Sequence, residues 1–323
     1  MSIDATARVP ETDFGGAVLE RDVWTGARKE HEQRVDILTE RHQSRASSHI
    51  AHPVEDFLFS YYRLRPAQLR QWHPGAAMAL ADAPEFLGLK FYRNLTTPAG
   101  GAGRNVISVD VEKFVAERSD TYTLVRDLLS VTQSAPAQFG CFGLHEWAML
   151  FRQDVGTMRH ASWPLRLGQE GTDEVVRTHQ IRCSHFDAYR FFTPPTRPLN
   201  LLLPTVDGRV GNEQPGCLHA NMDLYKWSYK LLPVVPSSLV LDCFLLTRRI
   251  REFDMRASPY DLTGLGYAPV PIETTAGKAE YVAAQREFAT EAAVLRERIL
   301  AHLQAVVPAR DNDDARNDNG ATR

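Results

Sequence analysis

The spacing of apolar side chains along this chain is mostly the spacing of helices. Leu124, Leu128 and Leu129 fall at intervals that place them on one face of a helix. The stretch 276–305 is rich in Ala, Glu, Arg and Leu, which suit a long amphipathic helix. Further helices are predicted at 26–48, 53–64, 143–152, 220–232 and 237–256. Strand-like segments are few, so the pattern predicts a mainly α fold; they lie at 86–92, 105–111 and 174–181.

The two ends of the chain differ from its middle. Residues 1–25 carry acidic side chains and no apolar run, which predicts a flexible N-terminal arm and not a signal peptide. Residues 307–323 are poor in apolar residues and predict a disordered tail. Residues 26–306 contain no Gly/Ser linker and no internal repeat. We therefore expect a single compact helical domain with at most a small β-sheet.

Composition narrows the class of protein. The chain has 323 residues, of which 43% are hydrophobic and 24% charged, and this is typical of a protein that buries a real core. A net charge of −3 gives no overall basic field, so DNA is a candidate partner that the charge does not favour. The four cysteines do not form a short-loop disulfide framework, and no apolar run is long enough to span a membrane. We expect a cytoplasmic protein with no membrane partner.

Candidate chemistry lies between Cys141 and Asp261, where titratable side chains are embedded among aromatic ones. Burying such groups costs several kcal/mol unless they are paired or bind a ligand. The segments concerned are CFGLHEWAMLF, CSHFDAYRFF, QPGCLHANMDLYKW and REFDMRASPYDL.

The third segment has the most informative spacing. His219 and Asp223 are four residues apart and share one face of the predicted helix, with Lys226 almost one turn further along. This spacing suits a pair of metal ligands, or a carboxylate that orients a general-base imidazole. The alternative is a buried His–Asp contact that only braces the fold.

The other segments supply further candidate catalytic residues. His145 and Glu146 are adjacent and point about 100° apart on a helix, so we expect only one of them to face a given pocket. His185 can converge with Asp187 and Arg190 only if it precedes the start of a helix, and an N-terminal cap with an ion pair is the alternative.

A metal site is a second interpretation of the same residues. The paired Cys or His spacings typical of structural zinc sites are absent. Mixed His and carboxylate sites for non-haem iron need no local motif. A divalent metal ion is therefore the candidate cofactor, and its candidate ligands are His145, His185, His219, Asp187 and Asp223.

Substrate contacts are predicted from aromatic and basic side chains. Tyr61 and Tyr62 stand beside a cluster of arginines in HPVEDFLFSYYRLRPAQLRQWHPG, where they could stack on a planar ring next to an anion. The alternative is a surface ion-pair network. Asp254 and Arg256 form either an ion pair or a substrate clamp. The candidate substrate-binding residues are Tyr61, Tyr62, Trp227, Arg190, Lys226 and Arg256.

Several of these segments carry a family resemblance. HPVEDFLFSYYRLRPAQLRQWHPG, FGCFGLHEWAMLFRQ, RCSHFDAYRFFTPPTRPLN, EQPGCLHANMDLYKWSYKL and DMRASPYDL resemble an actinobacterial family commonly labelled 3-methyladenine DNA glycosylase. The resemblance runs through roughly residues 50–290 and implies a role in DNA repair. The stretch LTGLGYAPVP resembles the hairpin of helix-hairpin-helix glycosylases, but no Asp follows it between 262 and 309 to act as their catalytic carboxylate.

Three functions are consistent with these residues. The first is an N-glycosidic hydrolase acting on a modified purine base, in which Asp223 or Glu146 activates water and His219 or His185 assists proton transfer. The second is a metal-dependent enzyme, of the non-haem iron type or similar, acting on a small molecule. The third is a non-enzymatic protein that binds a ligand or a partner.

Overall fold

Helices account for most of the structure. The computed structural model describes residues 16–97, 104–153 and 163–306. The longer helices are α1 (Arg21–Ser47), α4 (Val111–Ser134), α6 (Gly168–Thr178), α9 (Leu218–Lys230), α10 (Ser237–Arg256) and α11 (Thr275–Val306). The shorter ones are α2 (Phe57–Ser60), α3 (Pro66–Arg70), α5 (Leu144–Leu150), α7 (Phe186–Tyr189) and α8 (Arg209–Asn212). The predicted mainly α fold is confirmed.

A small sheet covers one side of the N-terminal half. Its strands are β1 (Ala17–Leu19), β2 (Met78–Ala81), β3 (Tyr92–Thr97) and β4 (Arg104–Val109), in the order β1-β2-β4-β3. β1 runs parallel to β2, while the other two pairings are antiparallel. Ala79 lies opposite Ser108, and Asn94 lies opposite Ile107. A small sheet was expected from the sequence, but of the predicted strands only 105–111 coincides with one of these, β4.

The core that positions the candidate site is formed by α9, α10 and α11. Helix α9 has buried side chains around most of its circumference, as expected of a helix enclosed by others. Its Met222 carbonyl accepts a hydrogen bond of 2.9 Å from the hydroxyl of Thr247 on α10. From α11, the guanidinium of Arg296 donates to the side-chain oxygen of Asn221 at 2.8 Å. α9 is therefore held from two sides.

Three local predictions differ from the structure. The expected strand at 174–181 is wrong, because most of this segment belongs to α6, where Thr172, Val175 and Val176 are buried at helical spacing. The expected helix at 53–64 is reduced to the four residues of α2, since Arg63 adopts a left-handed backbone with φ of 60°. The expected strand at 86–92 begins as a 3-10 helix over Pro84–Gly88. Apolar residues alone do not distinguish these short elements.

The predicted N-terminal arm extends over 1–25, but β1 and the start of α1 occupy its last part. Trp24 is fully buried and donates a hydrogen bond of 2.9 Å from its indole nitrogen to the carbonyl of Ala81 in β2. This contact fixes α1 against the sheet, although the polar composition of the segment gives no sign of it. Residues 1–15 and the predicted tail 307–323 lie outside the described residues.

Membrane insertion was not expected from the sequence. No helix in the described ranges is both long enough and apolar enough to cross a membrane.

We predict that Trp24→Ala lowers the free energy of unfolding by about 3–5 kcal/mol, because it empties a fully buried site and removes the hydrogen bond to β2. Urea denaturation of the purified protein measures the change. Val23→Ala, on the same helix and 54% exposed, should change it by less than about 0.5 kcal/mol. Equal effects of the two substitutions would contradict the docking of α1.

Candidate functional site

The candidate site lies where α5, α9 and α10 meet beside the short α7. α5 carries His145 and Glu146, α9 carries His219 and Asp223, and α10 carries Asp254. His185 is the residue immediately before α7, as its predicted convergence with Asp187 requires. Four segments far apart in sequence thus meet at one place.

The start of α9 is set by a close backbone approach at Gly216. A Cβ atom at this position would lie 2.3 Å from the carbonyl oxygen of Gln138, which leaves no room for any side chain. The Gly216 carbonyl accepts a hydrogen bond of 2.9 Å from the side-chain amide of Gln285 on α11. These contacts fix the turn that presents His219.

His145, His219 and Asp254 form the first group of candidate metal ligands. One ligand atom from each lies within 4.8 Å of the others. The two imidazole rings are 4.2 Å apart and meet at 88°, and His145 Nε2 lies 3.5 Å from Asp254 Oδ2. Two histidines and one carboxylate are a ligand set used for catalytic zinc and for non-haem iron.

Two of the three members of this group have polar atoms without a hydrogen-bond partner within the described part of the chain. Both ring nitrogens of His145 and both carboxylate oxygens of Asp254 are buried without a hydrogen bond. His145 is 2% exposed and Asp254 1%. Because an unsatisfied buried polar group costs free energy, such a cluster is unusual unless it binds something. This arrangement is typical of a ligand-binding site.

Charge within the group is uneven. Burial alone would lower the pKa of His145, but the nearby carboxylate of Asp254 more than offsets this and raises that pKa to about 10. Burial would raise the pKa of Asp254, but the charge of His145 lowers it to about 2. Burial, followed by the charge of His145, holds the pKa of His219 well below its usual value. His219 is therefore neutral and keeps a lone pair for a metal ion.

The second group combines His185, Asp187 and Asp223, whose ligand atoms also lie within 4.8 Å of one another. Here an internal cation is already present. The ammonium nitrogen of Lys226 lies 2.8 Å from Asp187 Oδ2 and 2.9 Å from Asp223 Oδ2. Arg209 adds a hydrogen bond of 3.0 Å to Asp187 Oδ1.

His185 in this second group also has an acidic neighbour. Its Nδ1 lies 2.7 Å from Glu213 Oε1, and its Nε2 lies 3.8 Å from Asp223. Burial would lower the pKa of His185, but the charge of Glu213 raises it overall. The ammonium of Lys226 already lies within 2.9 Å of both carboxylates, where a metal ion would bind, so the first group is the better candidate metal site.

Glu146 and Arg251 border the first group. The guanidinium of Arg251 donates to Glu146 Oε1 at 3.1 Å, lies 3.6 Å from Asp254 Oδ2 and covers the ring of Phe57 at 4.0 Å. His145 and Glu146 both line one small cavity, so the prediction that only one of them faces a pocket is wrong. The cavity lies between the directions in which the two side chains point, so both side chains line it.

This small cavity lies beside the first group, with His145 and His219 in its lining. It has a volume of about 30 Å³, which suits one or two water molecules. It shares Tyr61, Asp187 and Phe191 with an open cleft of about 670 Å³. The cleft is lined by Ser60, Tyr61, Tyr62, Arg63, Leu124, Asp187, Arg190, Phe191, Arg209, Lys226, Trp227, Tyr229 and Lys230.

The structure brings most of the predicted substrate residues to this cleft. Tyr61, Tyr62, Arg190, Lys226 and Trp227 all line it, although Trp227 is only 3% exposed.

Arg256 stands apart from these residues. Its guanidinium donates to the carbonyl of Ala268 at 2.8 Å and lies 3.6 Å from Glu280 on α11. The expected pair with Asp254 is therefore wrong, because Asp254 faces the interior on the opposite side.

Sequence reasoning missed two residues that complete the site. Arg251 was not singled out, although it precedes Asp254 by one helical turn, and Asp254 was not included among the metal ligands. Both are buried, with Arg251 at 2% exposure. The available signal was their spacing on a helix whose other residues are mostly apolar. Comparison of the chain with protein-family models, curated proteins and solved structures returns no match.

We predict that Lys226→Ala lowers the free energy of unfolding by about 3–5 kcal/mol, because it leaves Asp187 and Asp223 without their shared ammonium. Urea denaturation in the presence of a chelator measures the loss. Added Ca²⁺ or Zn²⁺ should restore part of the stability of the variant by replacing the missing charge.

Lys230→Ala is the matched control on the same helix. Lys230 makes no ion pair with any described residue, so we expect less than about 1 kcal/mol of change. A Lys226→Ala protein as stable as the wild type would contradict the role of this ammonium.

Proposed function

We propose that this protein is a metal-dependent hydrolase whose single catalytic cation is held by His145, His219 and Asp254. The observation that carries the proposal is that His145 and Asp254 have buried ligand atoms without a hydrogen bond, close to His219 and to a water-sized cavity that both histidines line. Two imidazoles and one carboxylate would leave coordination positions for water and substrate, and a bound cation would displace the proton that His145 otherwise carries. Hydrolysis requires only water as the co-reactant.

A cation bound there would act as a Lewis acid that lowers the pKa of a coordinated water molecule. The surrounding side chains have complementary roles. Glu146 is held by Arg251 through Oε1 and borders the cavity, so its other oxygen can accept a proton from the attacking water. Arg251 faces the same cavity and can stabilise negative charge that develops on the substrate.

The acidic and basic residues of the second group lie next to this site and support it. Lys226 and Arg209 neutralise Asp187, so this carboxylate shields the cavity without attracting a second metal ion. Glu213 holds His185, and His185 lies 3.8 Å from Asp223. We propose that these residues position the cleft wall and do not ligate the metal.

We predict that the wild-type protein, purified without a chelator, contains about one divalent metal ion per chain. His219→Ala and Asp254→Asn should lose most of it. Mass spectrometry of the metal content measures this directly. Added metal at about 100 times its Kd should stabilise the chelator-treated wild type by about 2.7 kcal/mol, and these variants by much less.

His302→Ala is the control, because His302 lies on α11, away from the residues that line the cavity. It should retain the metal and the stabilisation. Zinc, iron(II) and manganese all need to be offered. A wild-type protein that neither contains nor responds to any of them would refute the hydrolase proposal and favour a non-enzymatic ligand-binding protein.

The linkage cleaved has one specific candidate, the N-glycosidic bond of a modified purine. Aromatic and basic side chains line the cleft next to the cavity, as a site for a nucleobase with its anionic backbone requires. The family resemblance of the sequence supports the same candidate. DNA repair through release of 3-methyladenine is the corresponding cellular role.

We predict release of free base from alkylated DNA or from alkylated purine nucleosides, measured by chromatography. Asp254→Asn should abolish it with the metal site, and Glu146→Gln should slow it about 100-fold or more, as expected for loss of a general base. Asp223→Ala should slow it through disorder of the cleft wall. Absence of release from a broad panel would exclude this linkage and leave the metal-dependent hydrolase to be tested on others.

A further inference from the structure

We infer that the open cleft binds a small phosphate ester that carries a planar ring, of which a nucleoside monophosphate is the simplest example. The inference extends the proposed function, because it names the substrate class for the metal site. It depends on the charge, the exposed rings and the size of the cleft, none of which requires a metal ion.

The cleft has a surplus of positive charge. Five basic side chains line it, against the single carboxylate of Asp187. Lys226 and Arg209 already neutralise that carboxylate, at 2.8 Å and 3.0 Å. Arg190 is only loosely associated with it, at 3.7 Å, and its side chain is 47% exposed. The cleft thus contains more cations than its own acid needs.

Two further cations have no acidic partner at all among the described residues. Arg63 is exposed, and neither it nor Lys230 forms an ion pair within that part of the chain. Burial and the neighbouring charge of Lys226 lower the pKa of Lys230. An anion bound in the cleft beside Lys230 would offset this repulsion, and Arg63 and Arg190 line the same cleft. Guanidinium and ammonium groups together are typical of phosphate sites.

Aromatic rings stand beside these cations. Phe191 is 36% exposed at the cleft edge, and the guanidinium of Arg190 lies 4.5 Å from the centre of its ring. The ring of Tyr61 is stacked on the ring of Phe57, with their centres 4.8 Å apart, and this contact holds Tyr61 in place. Burial raises the pKa of Tyr61 to about 12, so its ring is neutral. Both rings line the cleft, where a planar ring of a ligand can contact them.

The size and position of the cleft favour a small molecule. Its volume of about 670 Å³ lies within the usual range of about 300–1,000 Å³ for small-molecule sites. Tyr61 and Phe191 also line the small cavity in front of His219. A ring that contacts them therefore lies close to the cavity that His145 and His219 line. The net charge of −3 does not favour a long nucleic acid as the occupant.

Isothermal titration calorimetry of the full chain with adenosine 5′-monophosphate tests this inference. Chelator is present throughout, so the result is independent of the metal site. We expect the monophosphate to bind at least about tenfold more tightly than either adenosine or inorganic phosphate, since only it engages both the cations and the rings.

Single substitutions test the basic and the aromatic residues of the cleft separately. Arg63→Ala and Lys230→Ala should each weaken binding of the monophosphate about tenfold, as loss of a charged hydrogen bond does. Phe191→Ala should weaken the monophosphate but leave inorganic phosphate unchanged. Arg249→Ala removes an exposed arginine that pairs with Glu291 outside the cleft, and it should leave every affinity unchanged.

Two results would overturn the inference. One is monophosphate binding that is absent, or that is equal in the wild type and in Arg63→Ala and Lys230→Ala. The other is a single-stranded oligonucleotide that binds over a hundredfold more tightly than the monophosphate, which would assign the cleft to nucleic acid. Failure of calorimetry with metal binding intact rejects the substrate class alone, whereas loss of metal binding alone rejects the hydrolase.

Discussion

Compensation of buried charge between α5, α9 and α10 is the constraint on which the rest of this structure depends. Three helices can enclose His145, Glu146, Asp223 and Asp254 only because the buried Arg251 and the partly buried Lys226 lie among them. Burial of charge without such partners costs several kcal/mol per ion. The surrounding core, including α11 and the fixed turn at Gly216, holds these six groups of α5, α9 and α10 at one place. Stability and chemistry are therefore provided by the same residues.

The two candidate metal groups differ in how closely a cation contacts their carboxylates. Lys226 is within 2.9 Å of both carboxylates in the group with Asp187, so a cation is built into the protein there. Around Asp254, Arg251 stays 3.6 Å away and its contact of 3.1 Å is with Glu146. The nitrogen and oxygen atoms of His145 and Asp254 remain unsatisfied. A divalent ion would complete this group, and the open cleft would then supply the anionic, ring-bearing substrate.

Much of the fold follows from periodicity. The predicted helix at 237–256 coincides with α10, and the predicted one at 276–305 differs from α11 by one residue at each end. Long helices with many apolar positions are the easiest elements to predict, because each added turn repeats the same signal. Short elements such as α2 and the 3-10 helix at Pro84–Gly88 depend on single backbone torsions and tertiary contacts. The docking of Trp24 against Ala81 joins segments 57 residues apart, a pairing that no local pattern specifies.

The sequence by itself determined that α9 presents His219, Asp223 and Lys226 along adjoining turns, since helical geometry fixes that spacing. It also identified Tyr61, Tyr62, Arg190 and Trp227, all of which line the cleft. Only the tertiary structure decided the partners. Lys226 turned out to neutralise Asp223, and the ring of His219 meets His145 of α5, close to Asp254 of α10. The physical reason is that ligand sets and ion pairs form across helices, at distances set by packing and not by position along the chain.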